Sequence, residues 1–331
     1  MAQFLTRRVF YAALTILIVS MVVYGIFSIL PFDPAALTCG QRCTPQIIEG
    51  NRIKLGFDQP IYLQYWHFFL GIFAGRTYGS GTAAFSCPAP SFGYSFNENA
   101  CVTNLLAEAL PVTLSLALGA FILWIVVGVG LGLIAAKFRG KIPDTASSVF
   151  VLLGTSLPTF VTGLALLIWV SIKWKIIPIT LSGYVSLFND PVGFLTYFIL
   201  PWITLAIAFA AFYTRFTRAI VLETLGEDYI RTARAKGLTE RVVLIKHTLR
   251  SVLAPITTSA GLDFAGLIGG AIITETIFNL PGLGRLTLRS VFEFDLPVVV
   301  ATTILAAAVV IVMNLVVDML YAVLDPRVRL Q

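Results

Sequence analysis

Charge and imidazole are what this 331-residue sequence has least of. Only 12% of it is Asp, Glu, Lys or Arg, about half the share of an ordinary globular chain, and it holds two histidines, His67 and His247. No GxxxxGK[ST] run occurs, so the chain has no phosphate-cradling loop with which to hydrolyse a nucleotide. No carboxylate pair sits in a recognisable pocket, and the two histidines fall in segments expected on opposite sides of a membrane. The reading is therefore of a non-enzyme, with no catalytic residue, no metal site and no cofactor bound by this chain. Cysteine is scarce as well: Cys39, Cys43, Cys87 and Cys101 all lie within one segment, 32–105.

What is abundant is apolar surface. Hydrophobic residues make up 57% of the chain and the mean hydropathy is +0.88, which marks a protein whose solvent is a lipid bilayer. A crossing helix needs about 20 apolar residues. Runs of that length occur at Val9 to Leu30, Val112 to Ala136, Val149 to Ile172, Phe194 to Tyr213 and Leu296 to Val317, and a sixth, Val252 to Thr274, is interrupted by Asp263. The expectation is an all-α membrane protein with six transmembrane helices. Arg7 and Arg8 precede the first run as in a signal peptide, but 22 apolar residues with no small-residue cleavage site read as a retained helix.

The net charge of +6 is explained by orientation without a nucleic-acid partner. With the amino terminus inside, the inner segments carry 15 Lys and Arg and the outer ones eight, four of the eight in a segment long enough to be translocated whatever its charge. Both termini are expected in the cytoplasm. The organisation is then a first transmembrane helix (1–31), an extracytoplasmic domain (32–105), and a five-helix core (106–331) with a basic cytoplasmic loop (214–250).

Cysteines in an oxidising compartment suggest two disulfides. Four cysteines allow three pairings; Cys39 with Cys43 and Cys87 with Cys101 is the favoured one, with free thiols or zinc as alternatives. In the same segment Ile61 to Ala74 reads as an interfacial helix, too short to span, with His67 as a packing residue. Within the spans, Gly128 with Gly132 and Gly266 with Gly270 form GxxxG pairs that let helices approach closely. Pro158 and Pro201 fall inside spans, as kinks or as tolerated prolines. Asp263 and Glu275 are the possible pathway or gate residues. Asp263 either lines an aqueous path or bonds to a neighbouring span, and Glu275 is expected at the outer interface, in contact with water.

Orientation accounts for positive charge in YIRTARAKGLTERVVLIKH, residues 229–247, but not for its order. Tyr229 and Ala233 are four apart and Ile230 and Ala233 three apart; Gly237 suits a left-handed cap and Thr239 with Glu240 a new helix start. The spacing predicts helix, glycine turn, helix. A helix this short is marginal alone, so it needs a surface to pack against.

Together with RRVF (7–10), ILPFDPA (29–35), KLGFDQPIYLQYW (54–66), ALPVTLSLAL (109–118), ITETIFNLPGLGRL (273–286) and NLVVDMLYAVLDPRVRL (314–330), the loop DYIRTARAKGL (228–238) resembles the B-type permease subunits of dipeptide and oligopeptide ABC importers. The resemblance implies the type I importer permease fold and a multi-pass protein of a bacterial or archaeal inner membrane. It implies partners as well: a second homologous permease, two cytoplasmic ATPase subunits or domains that carry ATP and Mg, and an extracytoplasmic solute-binding protein. It makes Asp228, Tyr229, Arg231, Thr232, Ala233, Arg234, Ala235, Lys236 and Gly237 the coupling helix that touches the ATPase, with Arg231, Arg234 and Lys236 pairing and Tyr229 and Ala233 packing. Arg231 and Thr232 depart from the Glu and Ala of the general loop motif, and Arg250 stands where its proline is expected. Related permeases carry nickel, glutathione or other small solutes; an ion-coupled transporter built on Asp263 would instead work without ATPase subunits.

Overall fold

The computed structural model describes residues 2–29, 44–56, 58–78, 85–95, 97–177 and 184–324. Cys39 and Cys43, and with them the pairing expected between them, lie outside the described residues.

The chain runs through α1 (Ala2–Ile29), α2 (Pro45–Leu55) and α3 (Ile61–Ala74), then β1 (Arg76–Tyr78), β2 (Phe85–Cys87), β3 (Tyr94–Ser95) and β4 (Ala100–Cys101). It continues as α4 (Val102–Lys137), α5 (Ile142–Ser156), α6 (Thr159–Leu166) with a π-helical continuation to Lys173, α7 (Pro191–Leu225) and α8 (Asp228–Ala235). One helical turn (Glu240–Val242) and a π-helical segment (Val243–Thr248) lead into α9 (Leu249–Gly270), α10 (Ile272–Ile277), α11 (Leu283–Phe292) and α12 (Leu296–Leu324).

Four stretches among the described residues are long and apolar enough to cross a bilayer: Thr6–Phe27, Val102–Lys137, Pro191–Leu225 and Leu296–Val317. The run expected as one span from Val149 to Ile172 is a pair, α5 and α6, bent by 101°. Pro158 is the cause. A residue before proline is pushed out of the helical region, and Leu157 is accordingly extended at φ −89°, ψ 120°. Counting that pair once gives five. The expected run from Val252 to Thr274 falls in α9, which carries Arg250 and Asp263 and is interrupted at Ala271 before α10. α7, in contrast, runs through Pro201 unbroken.

The all-α expectation is corrected in one respect. Two small antiparallel pairs, β1 with β2 (Arg76 opposite Cys87) and β3 with β4 (Tyr94 opposite Cys101), lie within residues 76–101. A disulfide joins Cys87 to Cys101.

The chain divides into two compact units. One takes residues 2–113 and 281–311, the other 114–280 and 312 onward. In the first, Val102, Leu106 and Ala109 of α4 pack with Leu283 of α11 and Val298 and Ala301 of α12. A second cluster seats Phe68 and Ile72 of α3 against Val23, Tyr24 and Phe27 of α1 and Val300 and Ile304 of α12. The opposite face of α3, with Tyr62, Trp66, Leu70 and Phe73, is exposed.

In the second unit α4 and α7 meet at glycine. A Cβ built on Gly128 would stand 2.7 Å from the Tyr213 Cβ, and one on Gly132 2.6 Å from the Thr217 Cβ. Both lie inside ordinary carbon contact, so this GxxxG pair is where the two backbones approach. Gly266, assigned to the other GxxxG pair, has nothing within 4 Å of its built Cβ and sits on an exposed face.

Candidate functional site

α7 ends at Leu225 and the chain turns at once into the eight-residue α8, whose sequence is too short to be stable by itself. Its anchor is Ile230, fully buried, with Ala233 beside it; both pack with Val243 of the following π-helical segment and with Leu225. The other face, Asp228, Tyr229, Arg231, Thr232, Arg234, Ala235 and Lys236, is exposed. Spacing offered two faces, and the one covered within this chain holds Ile230 and Ala233, while Tyr229 lies on the exposed side. Tyr229 is 45% exposed, its hydroxyl 3.1 Å from the Ser251 Oγ, because Ile230 is the larger purely apolar group and has the neighbours to cover it.

The turn after α8 is built as the sequence suggests. Gly237 takes φ +75°, the Gly237 N–H donates to the Arg234 carbonyl at 2.9 Å and the Leu238 N–H to the Ala233 carbonyl at 3.4 Å. These are the two bonds of a Schellman cap, which needs a left-handed residue at that place. Thr239 is extended before the next helical turn but makes no side-chain cap. Across the turn the Arg234 guanidinium donates to both Glu240 carboxylate oxygens, at 2.8 and 3.2 Å, and Arg231 pairs with Asp228 at 3.3 Å. Such exposed pairs contribute at most about 1 kcal/mol, so neither occupies its arginine firmly.

One polar contact near this end of α7 was missed by sequence reasoning, which treated its arginine as topology charge. Arg218 of α7 grips Asp144 of α5 with Nε to Oδ1 at 2.7 Å and Nη2 to Oδ2 at 2.9 Å, and the Gly140 N–H donates to Oδ2 at 2.9 Å. A guanidinium on a carboxylate is a two-pronged, directional bond. It ties the helix that carries α8 to the start of the bent pair. The available signal was Asp144 in the first turn of α5, where a carboxylate complements the helix dipole, although the sequence does not name its partner.

Deeper in the same unit, the Tyr213 hydroxyl of α7 donates to the Asp263 Oδ2 of α9 at 2.6 Å. Tyr213 is completely buried and belongs to a ring cluster: Trp124 stacks on Phe209 at 4.5 Å and lies 6.5 Å from Tyr213, while Phe121 meets Phe264 edge-on at 5.2 Å. Of the two roles open to Asp263, bonding to a neighbouring span is the one observed, and its side chain remains partly exposed. Glu275, expected in contact with water, is instead fully buried in α10. The short helix folds back on itself there, with the Leu280 N–H donating to the Glu275 carbonyl at 2.8 Å. Pro201 lines a cleft with Leu167, Ser171, Thr196 and Asn279.

In the other unit, a polar cluster joins the strand-bearing segment to α11 and the start of α12. The Ser95 hydroxyl donates to the Asp295 carboxylate and accepts the Glu98 N–H at 3.1 Å. Arg289 reaches Glu98 at 2.6 Å and Glu293 at 2.8 Å, and the Asn97 side-chain amide donates to the Glu293 carbonyl. Burial pushes the Asp295 carboxyl above the usual carboxylate range, against the opposing bonds from Ser95 and the Val298 N–H.

Long apolar helices, a glycine seam between two of them and a short amphipathic helix at the end of a span define a multi-pass membrane protein. The comparisons with known proteins make the class specific. Residues 1–117 match the N-terminal region, and residues 128–330 the main region, of the binding-protein-dependent transport system inner membrane components, and the chain belongs to that family. A relative from Brucella abortus, named for a peptide transport system permease, is 37% identical over 99% of both chains. The glutathione transport system permease protein GsiC of Escherichia coli is 36% identical over the same share. Among solved structures, the inward-facing MetNI methionine ABC transporter aligns with 67% of this chain and 96% of its own, at 18% identity and a TM-score of 0.54, which is a likeness of fold.

Proposed function

We propose that the chain is the transmembrane permease subunit of an ATP-driven peptide importer, forming half of the translocation path and taking its mechanical input through α8. The observation that carries the reading is the match over nearly the whole length to a relative named for peptide transport, together with an exposed helix at the end of α7 whose inner face is clamped to the same chain. A helix held in this way transmits displacement to the spans on either side of it instead of sliding. Ile230 and Val243 tie it to the segment leading into α9, and Arg218 with Asp144 ties α7 to α5.

On this reading, α9 crosses the membrane as a sixth span, the basic loop and both termini are cytoplasmic, and residues 32–105 face outward. The partners are a second homologous permease, two ATPase subunits that hold the ATP and Mg, and a solute-binding protein. The chain supplies a path and a lever and catalyses no bond change itself. The exposed α8 side chains, Asp228, Tyr229, Arg231, Thr232, Arg234, Ala235 and Lys236, are the ATPase contact, while Ala233 belongs to the clamp. Glutathione as cargo is a second reading, favoured by the 36% identity to GsiC.

Cross-linking tests the contact. A Thr232→Cys variant, exposed at the changed position, labelled with a short thiol-directed photo-cross-linker and irradiated in the assembled complex, is expected to yield a permease–ATPase adduct. An Ile230→Cys variant, with its thiol buried, is not. If the thiol introduced by Thr232→Cys can be alkylated yet gives no adduct with any ATPase subunit, α8 is removed from the coupling interface.

A further inference from the structure

Asp263 is the sole acidic residue of α9 and lies about 20 Å along the helix axis from Leu249, with apolar residues on both sides. On the reading above α9 crosses the membrane, and a carboxylate within a span is costly unless something meets its charge. The structure provides one neutral donor, the Tyr213 hydroxyl on Oδ2. Among the described residues no Lys or Arg pairs with Asp263, and Oδ1 has no protein hydrogen bond. Tyr213 is fully buried, so its hydroxyl, bonded to Oδ2, holds the carboxylate in one orientation.

The surroundings on α9 are open. Ala260, Gly261, Phe264 and Ala265 form the buried side of the helix, while Asp263 is only partly covered and Leu262 and Gly266 are exposed. Gly266 stands three residues on, hence on the same face, and space beside it is empty to 4 Å. A mid-helix carboxylate on a partly exposed face, oriented by a buried donor and with no Lys or Arg partner among the described residues, is complemented by a positively charged hydrogen-bond donor.

We infer that Asp263 is a recognition point in the path for an ammonium group, and that the group it takes is the protonated amino terminus of the transported peptide. Tyr213 is its positioning residue. The inference rests on the peptide-importer reading above, and deepens it by assigning one end of the cargo to one side chain. It separates peptides with a free amino terminus from those whose terminus is acylated, since an amide nitrogen carries no charge and has fewer protons to donate.

The test uses the complete assembly in proteoliposomes, with the same binding protein, saturated with peptide, in every sample. Initial ATP-dependent uptake is compared for a dipeptide and its N-acetyl derivative, in wild type, Asp263→Asn, Asp263→Glu and Tyr213→Phe. A charge-assisted hydrogen bond is the interaction removed. Asp263→Asn is therefore expected to lower uptake of the free dipeptide about tenfold or more and to leave that of the acetylated one within about twofold. Asp263→Glu should restore part of the difference and Tyr213→Phe should remove part of it. An unchanged ratio between the two peptides in Asp263→Asn overturns the inference, as does an equal loss for both. Wild-type vesicles that hydrolyse ATP yet import neither peptide refute the importer reading itself, and the inference with it.

Discussion

Gly132→Ala adds one methyl group at the place where α4 and α7 are closest. The added Cβ would meet the Thr217 Cβ at 2.6 Å and the Thr214 carbonyl oxygen at 2.8 Å, against about 3.5 to 4 Å for an unstrained carbon contact. Because backbone is among the atoms met, a side-chain rotation cannot relieve the clash, and the helices must part by roughly 1 Å. Overpacking of this kind costs about 1 to 3 kcal/mol. Gly130→Ala makes the same change about half a turn away, where nothing lies within 4 Å, and should be neutral or stabilising by up to about 1 kcal/mol through helix propensity. The propensity gain is common to both variants, so the expected gap between them is the overpacking alone, about 1 to 3 kcal/mol, with Gly132→Ala the weaker. Unfolding of the purified assembly in mild detergent, titrated with a denaturing detergent and followed by tryptophan fluorescence, reads it. Equal stability of the two variants would refute the claim that Gly132 is a close-approach site.

Two further outcomes follow from the same geometry. Ile230→Ala empties the anchor of α8 and, as a large-to-small change at a fully buried site, should cost about 2 to 5 kcal/mol locally; trypsin cleavage at Arg231 and Arg234 should accelerate and uptake should fall while ATP hydrolysis persists, whereas unchanged cleavage would contradict the clamp. The Asp295 carboxyl, raised by burial, holds its proton more tightly folded than unfolded, so it favours the fold most below the ordinary aspartate value of about 3.9 and that contribution is lost as pH rises through the folded value. Asp295→Asn should flatten thermal stability across that window, and identical pH slopes for variant and wild type would contradict the assignment.

The parts of the fold that depend on local chemistry were legible in the sequence. Ile61 to Ala74, the glycine cap at Gly237 and the close seam at Gly128 and Gly132 each follow from a few neighbouring residues, and each is present. What local reading could not supply was partner choice. Tyr229 and Ile230 both stood at helical spacing from Ala233, and only the position of Val243 and Leu225 decides which is covered. Arg218 was a basic residue among eight, and its role came from Asp144, 74 positions away. Glu275 looked wet by its place near the end of an apolar run, yet the fold of α10 buries it. The bend at Pro158 was open to two readings because a proline in a span is tolerated or not according to what its neighbours can satisfy.

On the proposed function, ATP hydrolysed on partner subunits drives peptide passage through this chain by way of α8 and its glycine turn. Gly237 sits at φ +75°, which proline cannot adopt, so Gly237→Pro breaks the cap without touching the apolar core of any span. Peptide uptake and ATP hydrolysis measured together, in proteoliposomes holding the full assembly, are predicted to be coupled in wild type and uncoupled in Gly237→Pro, with hydrolysis retained and uptake lost. Uptake that proceeds without ATP, or that keeps its ATP dependence in the variant, would contradict the claim.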